Sequence, residues 1–169
     1  MKHQALEQFD YHIWANERLL KRLEELPETF YTQELKSVFP SISAVVEHQY
    51  VTDRIWLQVM KGDKYEQIIP FAQGQKEKVA GKSTGEIKDL FATLYEEFRR
   101  FFSEQEDLDR LYVLEHPQGK LDMKLSDMIF HVVNHGTYHR GNIGAMFRQM
   151  DQAGASLDYV FYATEKSTV

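Results

Sequence analysis

A chain of 169 residues is long enough for one domain, spanning 1–169, to bury a core of its own without disulfides or a second module. With 26 acidic against 20 basic residues and a net charge of −6, it lacks the basic balance of a protein whose main partner is nucleic acid. Cysteine is absent, which removes disulfides, thiolate metal ligands and any protein-borne thiol nucleophile, a pattern that suits the cytoplasm.

Residues 2 to 26 place Ala5, Phe9, Ile13, Asn16, Leu20 and Leu23 at spacings of three and four, so a first long helix is expected, ended by Pro27. Its early acids, Glu7 and Asp10, break up any signal-peptide core, and no later run approaches the roughly 20 apolar residues of a membrane span. Tyr11, Trp14 and Arg18 project from the opposite face, where a tryptophan needs cover from a second subunit or a crossing loop. Asn16 sits on the buried face, either as a hydrogen-bonded core amide or as a polar group lining a substrate pocket.

After a short connection from Glu28 to Pro40, Ser41 is placed to cap a second helix that runs to Lys61 before Gly62. Its buried face reads Val45, His48, Thr52, Ile55, Trp56 and Val59, which puts a lone histidine among apolar residues. Residues 62 to 83, with Gly62, Pro70, Gly74 and Gly81 and little periodicity, read as an irregular crossing at one end of the molecule. Ser83 or Thr84 then caps a third helix with an aromatic core stripe through Phe91, Phe98, Phe101 and Phe102. Between Leu111 and Lys124 two short strands are expected around Pro117-Gln-Gly119, with His116 on the surface.

The fourth helix, expected from Leu125 to Gln152 and ended by Gly154, carries the chemistry. His131, His135 and His139 recur every fourth residue. Positions 135 and 139 lie one turn apart, about 6 Å, so two imidazoles can close on one ion, whereas His131 is about 12 Å along the axis from His139. The third ligand must come from another helix, and His48 supplies it. Three neutral imidazoles on one divalent ion suit zinc or nickel, and also iron or copper, and leave a position open for water or substrate. Gly136 stands where a zinc peptidase carries its general-base glutamate, which removes that reading. His131 is left as a candidate catalytic acid or base, or as a helix-flank residue. Arg140 is either a substrate-anion contact or half of a surface ion pair. Gly136, Gly141 and Gly144 mark close approach of a neighbouring backbone. The apolar tail Leu157 to Tyr162 should pack on the bundle or on a second subunit.

Three segments together resemble the DinB/YfiT-like family of metal-binding four-helix proteins: Tyr11-His-Ile-Trp-Ala-Asn-Glu-Arg18, the stretch around Glu47-His48, and His131-Val-Val-Asn-His-Gly-Thr-Tyr-His-Arg-Gly-Asn142. The resemblance covers nearly the whole chain. It implies an all-α, up-down-down-up four-helix bundle, a homodimer, and a metal site at His48, His135 and His139. Members with established reactions include bacillithiol S-transferases and mycothiol-dependent maleylpyruvate isomerase. By that likeness the chain is expected to be a metal-dependent S-transferase acting on a small-molecule substrate with a low-molecular-weight thiol such as bacillithiol, in stress or detoxification. A metal-dependent hydrolase and a non-catalytic metal-binding stress-response homodimer are the alternatives.

Overall fold

The computed structural model describes residues 2–168. Helix α1 (Gln4–Glu24) begins where the His3 ring accepts the Ala5 amide, and it stops short of Pro27. A single-turn helix α2 (Glu28–Thr32) follows in what reads from sequence as plain connection. Helix α3 (Ile42–Lys61) starts on Ser41, whose Oγ accepts the Ala44 amide at 3.1 Å, and ends on Gly62 at φ 97°, a left-handed position that a side chain would strain.

The crossing expected over 62–83 is instead a helix, α4 (Tyr65–Val79), packed along α3. Pro70 lies within it and cannot donate to Glu66, and only Ile68 and Val79 of this helix are fully buried. That explains the weak periodicity. Helix α5 (Thr84–Ser103) opens with a reciprocal cap in which Ser83 Oγ accepts from the Glu86 amide and Glu86 accepts from the Ser83 amide. Strands β1 (Leu111–His116) and β2 (Gly119–Lys124) pair antiparallel in the expected hairpin, with Leu111 opposite Lys124 and His116 opposite Gly119. His116 is exposed.

Helix α6 (Leu125–Gln149) ends earlier than Gly154. Asp151 takes the left-handed position at φ 54°, and the Gln152 amide reaches back to the Phe147 carbonyl at 2.9 Å. Helix α7 (Tyr159–Ser167) then lies on α1.

The long helices α1, α3, α5 and α6 form the bundle: α1 and α3 each pack against both α6 and α5. Its interior is apolar and rich in aromatic rings, with Phe9, Phe98 and Phe102 in mutual contact at ring separations of 4.8 to 5.6 Å. Burying side chains of this size stabilises such a core by about 1.5–3 kcal/mol each. The outer face of α1 is covered by the chain's own tail. Tyr11 Oη donates to the Leu157 carbonyl, Trp14 Nε1 donates to Glu165, and Arg18 pairs with the same carboxylate at 2.7 Å. A second subunit is therefore not needed to explain Trp14. No helix among the described residues is long and apolar enough to cross a membrane.

Candidate metal centre

Helix α6 sets His135 and His139 one turn apart, with their Nε2 atoms 2.9 Å from each other. Across the bundle, α3 brings the His48 ring to 5.3 Å from His135 and 4.8 Å from His139. One ligand atom from each of the three lies within 4.8 Å of the other two. Two nitrogens bound to one zinc at tetrahedral angles stand roughly 3.3 Å apart, so the His135–His139 pair is already close to that spacing.

The electrostatics favour the neutral, ligating form. Burial is the main cause that brings His135 down to about 4, reinforced by the neighbouring His139 and His48, with Asp53 pulling the other way. Burial likewise brings His139 to about 4, with His48 adding to it. His48 is also lowered, by burial first and by Lys76 second. Uncharged imidazoles turn lone pairs toward one point, and a metal requires that. The Nδ1 atoms of His135 and His139 are buried without a partner. With Nε2 on a metal each Nδ1 would carry a proton, and an ordered water is the natural acceptor. The three residues thus fit a divalent transition metal in donor type, spacing and protonation.

His48 does not sit in the core as expected. The buried residues of α3 are Ile42, Val45, Val46, Gln49, Tyr50, Val51, Asp53, Leu57 and Met60, and the helix is rotated so that His48 is exposed. His139 is buried and His135 intermediate, so the cluster is closed behind and open at His48. Aromatic rings surround the opening: Phe39 lies 5.2 Å from His48 and 5.4 Å from His139, and the exposed Tyr138 lies 5.1 Å from His139. His131 stands outside the cluster, 6.0 Å from the His135 ring and 4.4 Å from Trp56, with burial lowering its pKa.

The two remaining candidates lie elsewhere. Arg140 is not on the surface: it is 3% exposed, and it donates to Asn16 Oδ1 at 2.8 Å, Thr137 Oγ1 at 2.9 Å and His12 Nδ1 at 3.3 Å. Asn16 is equally buried and donates to Tyr95 Oη at 2.7 Å. Both belong to a polar knot that sequence reasoning missed. Its centre is His12, fully buried, whose Nε2 lies 3.1 Å from Asp53 Oδ2. Arg140 donates to Nδ1, while Nε2 stands 3.1 Å from both Asp53 Oδ2, which accepts, and Asn16 Nδ2, which donates, so these two neighbours compete for the same ring nitrogen. Burial pushes the His12 pKa down despite Asp53, and it pushes the Tyr95 phenol well up. The knot ties α1, α3, α5 and α6 together. Its one legible trace is the four-residue spacing of His12 and Asn16 on one face of α1.

Gly136 is where the knot meets the metal helix. A Cβ there would stand 2.4 Å from His12 Cε1 and 2.6 Å from its Nδ1, so the close neighbour is a side chain, not the backbone expected. Gly141 and Gly144 have nothing within 4 Å of that position, contrary to the same expectation.

The DinB family profile matches residues 1–168. The chain belongs to the DinB family. Protein DinB of Bacillus subtilis strain 168 is 41% identical over 159 residues, covering 94% of this chain and 92% of that protein. The crystal structure of a DinB-like protein from Bacillus cereus ATCC 10987 superposes with a TM-score of 0.65 over 90% of this chain and 94% of that one. At 18% identity that likeness speaks for the DinB-like fold. The candidate three-histidine group is therefore found in a DinB-family bundle.

Proposed function

We propose that the protein binds one divalent transition metal, zinc or nickel, through His48, His135 and His139, and uses it to transfer a low-molecular-weight thiol to a small electrophile. The observation that carries this reading is the convergence of three neutral imidazoles on a point that stays open at His48. A bound metal supplies a Lewis acid that stabilises a thiolate or hydroxide at neutral pH. The protein's own contribution is placement. His139 and His135 form the closed wall, while Phe39 and Tyr138 offer aromatic faces to the apolar part of an electrophile. His131, held against Trp56 one turn from His135 and with its pKa lowered by partial burial, is available as a base beside the cluster.

A hydrolase would use the same groups with water in place of the thiol. The thiol reading is preferred on the family resemblance, and zero cysteine is compatible with a nucleophile brought from outside. As part of the same reading, the protein is a homodimer acting in stress or detoxification. The test is thiol consumption with bacillithiol or a related thiol and an alkylating electrophile, measured on metal-loaded protein, chelated protein and His48→Ala. Conversion by the loaded protein alone is expected. Equal rates in all three would overturn the reading, and ester hydrolysis without thiol transfer would favour the hydrolase.

A further inference from the structure

Asp53 is the one fully buried carboxylate among the described residues. Its Oδ2 lies 3.1 Å from His12 Nε2 inside the polar knot, and Arg140, buried in the same knot, balances its charge. Its Oδ1 is equally enclosed but has no hydrogen-bond partner. On α6, the Nδ1 of His135 is in the same condition. Buried polar atoms are costly to leave unsatisfied, and these two supply one acceptor and, once Nε2 of the same ring carries a metal, one donor.

Contacts between α3 and α6 bring the two atoms to the same level of the bundle. The helices run antiparallel: His48 meets His135 and His139 at ring separations of 5.3 and 4.8 Å, and further along α3 Trp56 meets His131 at 4.4 Å. Asp53 falls between His48 and Trp56 just as His135 falls between His139 and His131. From the other side, the His12 ring packs against Gly136, the residue after His135, while its Nε2 faces Asp53. The electrostatics agree, since burial lowers the pKa of His135, His131 and His48 and Asp53 opposes it in each. We infer that Asp53 is a positioning residue for the metal site: its Oδ1 accepts from one buried water, which in turn accepts the His135 Nδ1 proton and fixes the ring with Nε2 turned to the metal. The inference rests on the reading that His48, His135 and His139 hold a metal. A water enclosed between these atoms has the two polar partners it needs, and a carboxylate set behind a ligating imidazole orients the ring and strengthens its free nitrogen as a donor.

The test is zinc affinity of the full chain, measured by competition with a chromophoric chelator. Asp53→Asn, which keeps the shape and removes the charge, should bind zinc about 10–100-fold more weakly than the parent. His12→Gln disturbs the knot but keeps the carboxylate, and should stay within about threefold of the parent. Proton NMR of the cobalt-loaded proteins reads the ring N–H signals directly. The His135 Nδ1 proton should exchange slowly with solvent in the parent, and should shift and exchange faster in Asp53→Asn, a change that loosened packing would not confine to one ligand. Crystals of the zinc-loaded parent should show one water within hydrogen-bond distance of both atoms, a check that needs no variant to fold. Failure of the parent to bind zinc would overturn the metal reading and this inference with it. Zinc bound by the parent without such a water, with Asp53→Asn unchanged, or with His12→Gln weakened as much, would overturn this inference alone.

Discussion

Replacing Gly136 with alanine tests the link between the metal helix and the buried knot. The added methyl would lie 2.4 Å from His12 Cε1 and 2.9 Å from Arg140 Nη1, too close for either to stay. His12 would have to swing off Asp53 or α1 would have to part from α6. Overpacking of this kind costs about 1–3 kcal/mol, and a misaligned hydrogen bond to a charged group about 1.5–3 kcal/mol more. Against that, alanine in a helix interior recovers up to about 1 kcal/mol. The expected net loss is about 1.5–6 kcal/mol, which for a chain of this length lowers Tm by roughly 3–24 °C. Gly144→Ala shares the helix but meets nothing within 4 Å, so it should gain up to about 1 kcal/mol. The assay is urea and thermal unfolding of chelated protein, which removes the stabilisation that bound metal would add. If Gly136→Ala keeps the parent midpoint, or if both glycine variants shift alike, the account of that contact is wrong.

His48→Ala, His135→Ala and His139→Ala should each lose stoichiometric metal by elemental analysis, while His131→Ala, outside the cluster, should keep most of it. For pH, His12 has a folded pKa below its ordinary 6.5, so the unfolded chain binds a proton that the native one does not. Its contribution is complete above about pH 6.5 and is lost as pH falls through the folded value, at up to about 1.4 kcal/mol per pH unit. Stability of chelated His12→Gln should therefore fall less steeply over that window, and an unchanged slope would mean that His12 is charged in the native state. Trp14→Ala should loosen α7, read as faster amide exchange over residues 159–167 with the rest of the bundle unaffected; equal protection would show that α7 does not depend on Trp14.

Much of this architecture is legible in the sequence because local chemistry marks it. Ser41 and Ser83 announce their helices, Gly62 closes one, and Pro117-Gln-Gly119 marks the hairpin. The His135–His139 spacing needs nothing beyond helix geometry. Helix α4 escapes because Pro70 and Gly74 sit inside it and its fully buried stripe is two residues. His48 illustrates a different limit: apolar periodicity on α3 fits two neighbouring faces, and only packing against α6 decides which is buried. Arg140 is read from sequence as a surface charge or an anion contact because nothing nearby in the chain shows that His12 and Asn16, more than 120 residues earlier, will enclose it. Gly136 and Gly144 look alike in sequence for the same reason. What distinguishes them is a side chain on another helix.

The central claim is that His48, His135 and His139 hold one transition metal with a position left open. Cobalt(II) substitution tests it most directly, because the visible spectrum reports both coordination and ligand exchange. The account predicts one cobalt per chain, low-coordinate bands, and a new thiolate-to-cobalt absorption when an exogenous thiol is added, all absent in His48→Ala. Stoichiometric cobalt whose spectrum ignores thiol and azide alike would contradict it, leaving a closed site that only ties α3 to α6.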